Sequence, residues 1–157
     1  MIGYVVCVDY DDFLSITIRH NIFHFDKLVI VTTPSDIRTI RLADQYNCYI
    51  HTTNAFYENG ADFNKWLALE EALDRFGRNG WICVFDADIV MPSSADFSCL
   101  QVGRLYGARR RMWYDYSGEP IPDCAEWYKF PEHPYRAEIA GYLQIFHSDD
   151  PCCKILP

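Results

Sequence analysis

The sequence has no Gly-x-Gly-x-x-Gly turn and no Walker loop. Its first apolar run is followed instead by Asp9-Tyr10-Asp11-Asp12, with no glycine at all. A phosphate group cradled by a glycine-rich nest of backbone amides is therefore not expected here. No apolar stretch approaches the roughly 20 residues of a membrane helix. The opening Met-Ile-Gly-Tyr-Val-Val lacks the basic-then-apolar form of a signal peptide. The seven cysteines are odd in number and include no Cys-x-x-Cys, which argues against a disulfide frame or a zinc knuckle. They are expected to be reduced core thiols of a cytoplasmic protein, with the adjacent Cys152 and Cys153 lacking partners for zinc. Positive charge is also scarce. Fourteen basic against 22 acidic side chains leave a net charge of −8, the wrong sign for a general nucleic-acid binder but compatible with a local basic site.

What the chain does have is apolar material. Half of its 157 residues are hydrophobic and 16% are aromatic, enough for one domain with a real core. Tyr4 to Val8 and Leu28 to Val31 are short runs of β-formers, and Cys48 to His51 is a third. Between them, Phe13 to Phe25 and Ser35 to Tyr46 carry apolar residues at helical spacing. Asp11 or Asp12 is the expected cap of the first helix and Ser35 that of the second. A polar loop, Thr52 to Gly60, leads to the clearest helix, Asp62 to Phe76, with Asp62 as cap and Gly77-Arg78-Asn79-Gly80 as its stop. A fourth strand follows in Trp81-Ile82-Cys83-Val84-Phe85, and it runs directly into Asp86-Ala87-Asp88.

The first ninety residues thus read β-α-β-α-β-α-β. That alternation predicts an α/β fold, a three-layer α/β/α sandwich around a mostly parallel, Rossmann-like sheet. Ligands of such sheets bind beyond the carboxyl ends of the strands. Asp9, Thr32, Asp36, Thr52, Asp86 and Asp88 all fall there. Residues i and i+2 of an extended segment point to one side, so Asp86 and Asp88 are expected to converge. Two converging carboxylates suit Mg²⁺ or Mn²⁺, with water and phosphate oxygens completing the shell. The plainer alternative is two solvated carboxylates where a strand meets a turn. Their place at the end of the fourth β-unit, in a chain without a glycine-rich phosphate loop, favours the cation.

After Pro92 the pattern changes. Leu105 to Tyr114 is expected to be a further strand carrying Arg109-Arg110-Arg111, either a grip on an anionic acceptor or a solvated edge that deters aggregation. Asp115 to Arg136, with four prolines and several aromatics, reads as a long irregular loop of the kind that forms lids or binding segments. Trp113, Tyr114, Tyr116, Trp127 and Tyr128 either stack on a sugar or base or anchor that loop. Ile139 to His147 is expected to be the last strand, and the ending from Ser148 to Pro157 has no recognisable stop, as in a fragment or a truncated chain. His20 and His24, at helical spacing, are expected to be packing or surface residues, the alternative being a metal pair.

The run ending in Phe85-Asp86-Ala87-Asp88 resembles the nucleotide-sugar half of GT-A glycosyltransferases, whose Asp-x-Asp signature binds Mn²⁺ or Mg²⁺ and the donor diphosphate. The resemblance covers residues 3–92 well and 104–147 loosely, where Gly141-Tyr142-Leu143-Gln144-Ile145-Phe146 resembles a later strand of that fold with a glycine near the acceptor. It implies a single domain over 1–157, with 1–92 as the nucleotide-sugar-binding half and 93–157 as a partial acceptor half. It implies a metal-dependent transferase using a nucleotide-diphosphate sugar, a UDP-sugar above all. The acceptor is left open among a glycan, a lipid-linked sugar, a protein and modified DNA. Asp86 would touch the ribose or the metal, and Asp88 would be the main metal ligand. Asp9 and Asp36 would hold the base or ribose, or else cap helices. Lys65, in Asn64-Lys65, would reach the diphosphate or be a solvated helix residue. His147 would be a third metal ligand or an ordinary strand-end histidine. Glu138, Asp149 and Asp150 are the carboxylates available as a base near the acceptor. Two other readings stand beside this one: a nucleotidyltransferase that makes a sugar nucleotide, and a non-catalytic donor-binding domain. The acidic Asp9–Asp12 turn counts against the first, because such enzymes normally place a glycine- and Arg/Lys-rich loop there.

Overall fold

The structure is a computed structural model, and it describes residues 1–132 and 142–150. Four apolar runs form the parallel strands β1 (Ile2–Val6), β2 (Lys27–Thr32), β3 (Tyr49–Thr52) and β4 (Trp81–Asp86). A fifth, β5 (Leu143–His147), closes the sheet in the order β3-β2-β1-β4-β5 and runs antiparallel to β4. The helices α1 (Asp11–Asn21), α2 (Ile37–Gln45) and α3 (Lys65–Phe76) link the parallel strands. The predicted α/β/α sandwich is therefore the observed one, with a mostly parallel sheet.

Alternation along β1 explains the layers, because successive strand residues face opposite ways. Tyr4 and Val6 join Val29, Val31, Ile82 and Val84 beneath Ala68, Leu69, Ala72 and Leu73 of α3. Val5 and Cys7 join Ile30, Cys83 and Phe85 on the other face, beneath Leu14 and Ile18 of α1 and Ala43 of α2. Both faces of the central strands are buried, so they read as continuous apolar runs. Gly3 is required by close approach: a Cβ there would lie 2.9 Å from the Phe25 ring, which stacks on Phe85 at 5.4 Å.

Several local expectations are corrected. Asp36, not Ser35, caps α2, accepting from the Thr39 amide at 3.1 Å. Asn64, not Asp62, caps α3, accepting from the Leu67 amide at 3.0 Å. In both cases the neighbour two residues earlier or one residue earlier offers the same chemistry, and only the chain's path into the helix selects the cap. Neither Asp11 nor Asp12 caps α1; the residue before the helix is Tyr10, which makes no side-chain cap, and the two carboxylates lie in the first turn, where the helix dipole favours them. Residues 105–114 form no strand. Tyr106 alone bridges Ile145, and Arg111 alone bridges Glu132. The loop after β3 is not simply polar: Ala55 and Phe56 are fully buried in it. Among the described cysteines, Cys7 and Cys83 are core thiols, whereas Cys99 is exposed and Cys48 and Cys124 are half-buried. No helix among the described residues is long and apolar enough to cross a membrane.

Candidate functional site

The strand order reverses between β1 and β4, since the chain builds outward to β3 and then returns to β4 on the other side of β1. A crevice at the carboxyl ends of strands opens at such a switch point. β1 and β4 pair in register, with Val6 opposite Asp86, so Asp86 stands at the mouth of that crevice.

Asp86 is the last residue of β4. Its amide donates to the Tyr142 carbonyl at 2.9 Å. Its Oδ1 accepts from the Lys65 ammonium, which arrives from the first turn of α3. Lys65 is only 20% exposed and Asp86 39%, so this ion pair is partly shielded and fixes the carboxylate's direction. Asn64 contributes by capping α3 and setting where Lys65 begins.

Asp88 reaches the site by a different route from the one its spacing predicts. Residues 86–89 make a tight turn, with the Asp86 carbonyl accepting from the Ile89 amide at 3.2 Å. The two aspartates are therefore related by a turn rather than by an extended strand, yet they are close enough to interact electrostatically. Asp88 is solvent-accessible, but desolvation by the surrounding chain, followed by the charge of Asp86, raises its carboxyl above the usual carboxylate range. Its own backbone, Arg110 and Lys65 pull the other way.

Two buried polar residues of α1 hold this turn, and sequence reading passed over both. The Thr17 hydroxyl donates to the Ala87 carbonyl at 2.6 Å. Asn21 donates to the Ile89 carbonyl at 2.7 Å and accepts from the Met91 amide at 2.9 Å. The signal was present in the sequence: Thr17 and Asn21 are polar residues four apart on the apolar face of an amphipathic helix, where a buried polar group needs a partner.

Arg110 is the third element of the site. Of the three arginines, Arg109 is exposed and Arg111 pairs with Glu132 at 2.9 Å. Arg110 is half-buried, with its guanidinium carbon 4.3 Å from the centroid of the Tyr142 ring. The Tyr142 hydroxyl in turn donates to the Ala108 carbonyl, which ties the arginine segment to β5.

The remaining predicted residues are distributed elsewhere. Asp36 is 3% exposed and its carboxylate is already engaged: it accepts from the amides of Thr39 and Asp9 and from the Thr32 hydroxyl. It ties three elements together rather than facing a base. Asp9 is exposed and adopts a left-handed backbone, φ 53°. His147 pairs with Trp81 at the start of β4, five residues from Asp86, roughly 16 Å along a strand. The antiparallel direction of β5 carries it to the opposite end of the sheet, where it stacks edge-on against Trp81 at 5.0 Å, so it cannot share a cation with Asp86. Asp149 lies beside it, with an oxygen 3.6 Å from His147 Nδ1, and is equally remote from the carboxylate pair. Glu138 lies outside the described residues. His20 and His24 are half-buried, and burial pushes both imidazoles below their ordinary pKa. Trp113 anchors the long loop against Tyr116 and Phe130, Trp127 donates to the Pro122 carbonyl at 3.0 Å, and Tyr114 and Tyr128 remain exposed.

Among the described residues no cluster of three or more metal-ligating side chains exists. The donor set at the switch point is two carboxylates. That is too few for a structural zinc or a calcium cage, but it fits Mg²⁺ or Mn²⁺, which keep several waters and take phosphate oxygens as further ligands.

No protein family matches this sequence, and no curated protein matches it. Among solved structures, the chain is similar to 4-diphosphocytidyl-2C-methyl-D-erythritol synthase from Anaerococcus prevotii. The identity is 15%, the TM-score 0.39, and the match covers 55% of this chain and 43% of that one. A likeness of that degree leaves the chemistry of this chain to be argued from its own residues.

Proposed function

We propose that residues 1–92 bind the diphosphate of a nucleotide through a divalent cation, and that the chain acts as a metal-dependent transferase. The observation that carries this reading is the convergence of Asp86, Asp88 and Lys65 at the β1/β4 switch point. Asp88 and Asp86 would hold Mg²⁺ or Mn²⁺, which when bound acts as a Lewis acid on a leaving diphosphate oxygen. Lys65 aims the Asp86 carboxylate through their ion pair, and the turn fixed by Thr17 and Asn21 keeps Asp88 beside it.

The first reading of the transfer is glycosyl transfer from a nucleotide-diphosphate sugar, with a UDP-sugar as donor. The acidic Asp9–Asp12 turn supports it. Three carboxylates at the end of β1 repel a triphosphate there but tolerate an uncharged base or ribose, with Asp9 the exposed candidate. The acceptor half would come from residues 93–157. The second reading is nucleotidyl transfer from a nucleoside triphosphate to a sugar phosphate. It is favoured by a second cation, Arg110, beside the carboxylate pair, because pyrophosphate is the more highly charged leaving group.

Calorimetry with UDP tests the shared site. UDP is expected to bind more tightly with Mn²⁺ than with EDTA, and Asp88→Ala to remove that difference. Equal binding in Mn²⁺ and EDTA would refute the metal assignment. Release of free UDP from a UDP-sugar, against release of pyrophosphate from UTP and a sugar phosphate, separates the two readings.

A further inference from the structure

The two cations at the switch point are not equivalent. Lys65 is committed to Asp86, and its charge is partly offset there. Arg110 has no carboxylate within ion-pair distance among the described residues, although it is half-buried and its two neighbours in sequence are either solvated or paired. None of its guanidinium nitrogens is among the buried unpartnered polar atoms of the described residues, so its donors face solvent and are open to a planar anion. The Tyr142 ring supplies one face, at 4.3 Å, and a ring offers no hydrogen-bond acceptor to the edge. The fork of N–H donors is left for a ligand.

The position of that fork is set on three sides. Tyr142 fixes it by stacking and is itself held through its hydroxyl to Ala108 and through its carbonyl to the Asp86 amide. Arg111, the next residue, is pinned by Glu132 and by the Phe130 carbonyl at 3.1 Å. Because the Tyr142 carbonyl accepts from the Asp86 amide at 2.9 Å, the ring that Arg110 stacks on belongs to the residue joined to the end of β4. An arginine so placed, rigid and adjacent to a carboxylate pair, is suited to planar, bidentate recognition of phosphate oxygens.

We propose that Arg110 is a phosphate-binding residue of this site, gripping the diphosphate of the bound nucleotide while Tyr142 holds it in place. This rests on the nucleotide-diphosphate reading above. Charge balance supports the diphosphate as its ligand. Asp86, Asp88, Lys65 and Arg110 cancel one another, so the charge of a bound divalent cation is left for phosphate oxygens to balance.

The test uses the whole chain and inorganic pyrophosphate, which needs no knowledge of the base. Arg110→Ala is expected to weaken Mn²⁺-dependent pyrophosphate binding about ten- to a hundredfold, the loss of hydrogen bonds to a charged group. Arg110→Lys should recover part of it, as a charge without the fork. Binding of Mn²⁺ alone, followed by electron paramagnetic resonance, should be unchanged or tighter in Arg110→Ala, because a positive charge near the carboxylates has been removed. A residue that only supports the fold would weaken both ligands together, and that result overturns the assignment. Unchanged pyrophosphate binding in Arg110→Ala, with binding abolished in Asp88→Ala, also overturns it, pointing to an anionic acceptor as the arginine's ligand while the metal site stands. If the unaltered chain binds no pyrophosphate with Mn²⁺, the nucleotide reading itself fails and this assignment with it.

Discussion

Asp36 shows how one side chain can serve as a structural knot. Burial pushes its carboxyl upward, but hydrogen bonds from Thr39, Asp9 and Thr32 outweigh that, so its pKa lies below the ordinary carboxylate value. A carboxylate depressed in the folded state stabilises the fold above its unfolded pKa of about 4 and ceases to do so as pH falls through the folded value. Asp36→Ala removes the α2 cap and leaves buried donors unpaired, at a cost of about 2–3 kcal/mol at pH 7. The gap between variant and parent in urea denaturation should narrow as the pH is lowered below about 4. A gap independent of pH would show that Asp36 acts by packing alone. That Asp36 ends after β2 could be read from the sequence. That it turns inward, and not toward a ligand, depends on Asp9 adopting a left-handed backbone whose amide points at it.

At the scale of elements, α1 does more than cover the sheet. Its apolar residues Leu14 and Ile18 pack on β1, β2 and β4, and the polar pair Thr17 and Asn21 on the same buried face reaches the 87–91 segment. The helix thus couples the first βα unit to the turn that carries Asp88. Asn21→Ala leaves the part-buried Ile89 carbonyl and the buried Met91 amide without partners. The expected loss is about 2–4 kcal/mol of stability, with Mn²⁺ affinity reduced even though no ligand has been touched. Urea unfolding and Mn²⁺ titration together check this. Undiminished Mn²⁺ affinity in the folded variant would show that the turn holds itself. The helical periodicity was legible in sequence, and so was the strand leading into Asp86. The antiparallel direction of β5 was not, because a short apolar run pairs equally well either way. That one direction moved His147 and Asp149 from the candidate site to the far end of the sheet.

Across the whole molecule, a net charge of −8 coexists with a site where two cations face two carboxylates. Bulk charge therefore describes the surface and says little about the ligand. Binding of a ligand to the folded state alone raises stability by mass action, about 2.7 kcal/mol at a hundred times Kd. For a chain of this size that is a rise in Tm of about 5–10 °C. Mn²⁺ with UDP is expected to produce it, UDP with EDTA to produce little, and Asp88→Ala to abolish it in a thermal melt. A rise of equal size with EDTA would mean that the nucleotide binds without the carboxylate pair.

The sequence alone determined the order of strands and helices over the first ninety residues, the layered α/β architecture, and the arrival of Asp86 and Asp88 at a strand's carboxyl end. Those features follow from local periodicity and from the steric rules of βαβ units, which need no distant contacts. The tertiary structure decided which charged residues meet: Lys65 with Asp86, Arg110 with Tyr142 near Asp88, and Thr17 and Asn21 with the turn between 87 and 91. It also separated His147 and Asp149 from the site. These pairings join residues some 20 to 70 positions apart, and their geometry is set by strand direction and helix placement. No local pattern carries that information.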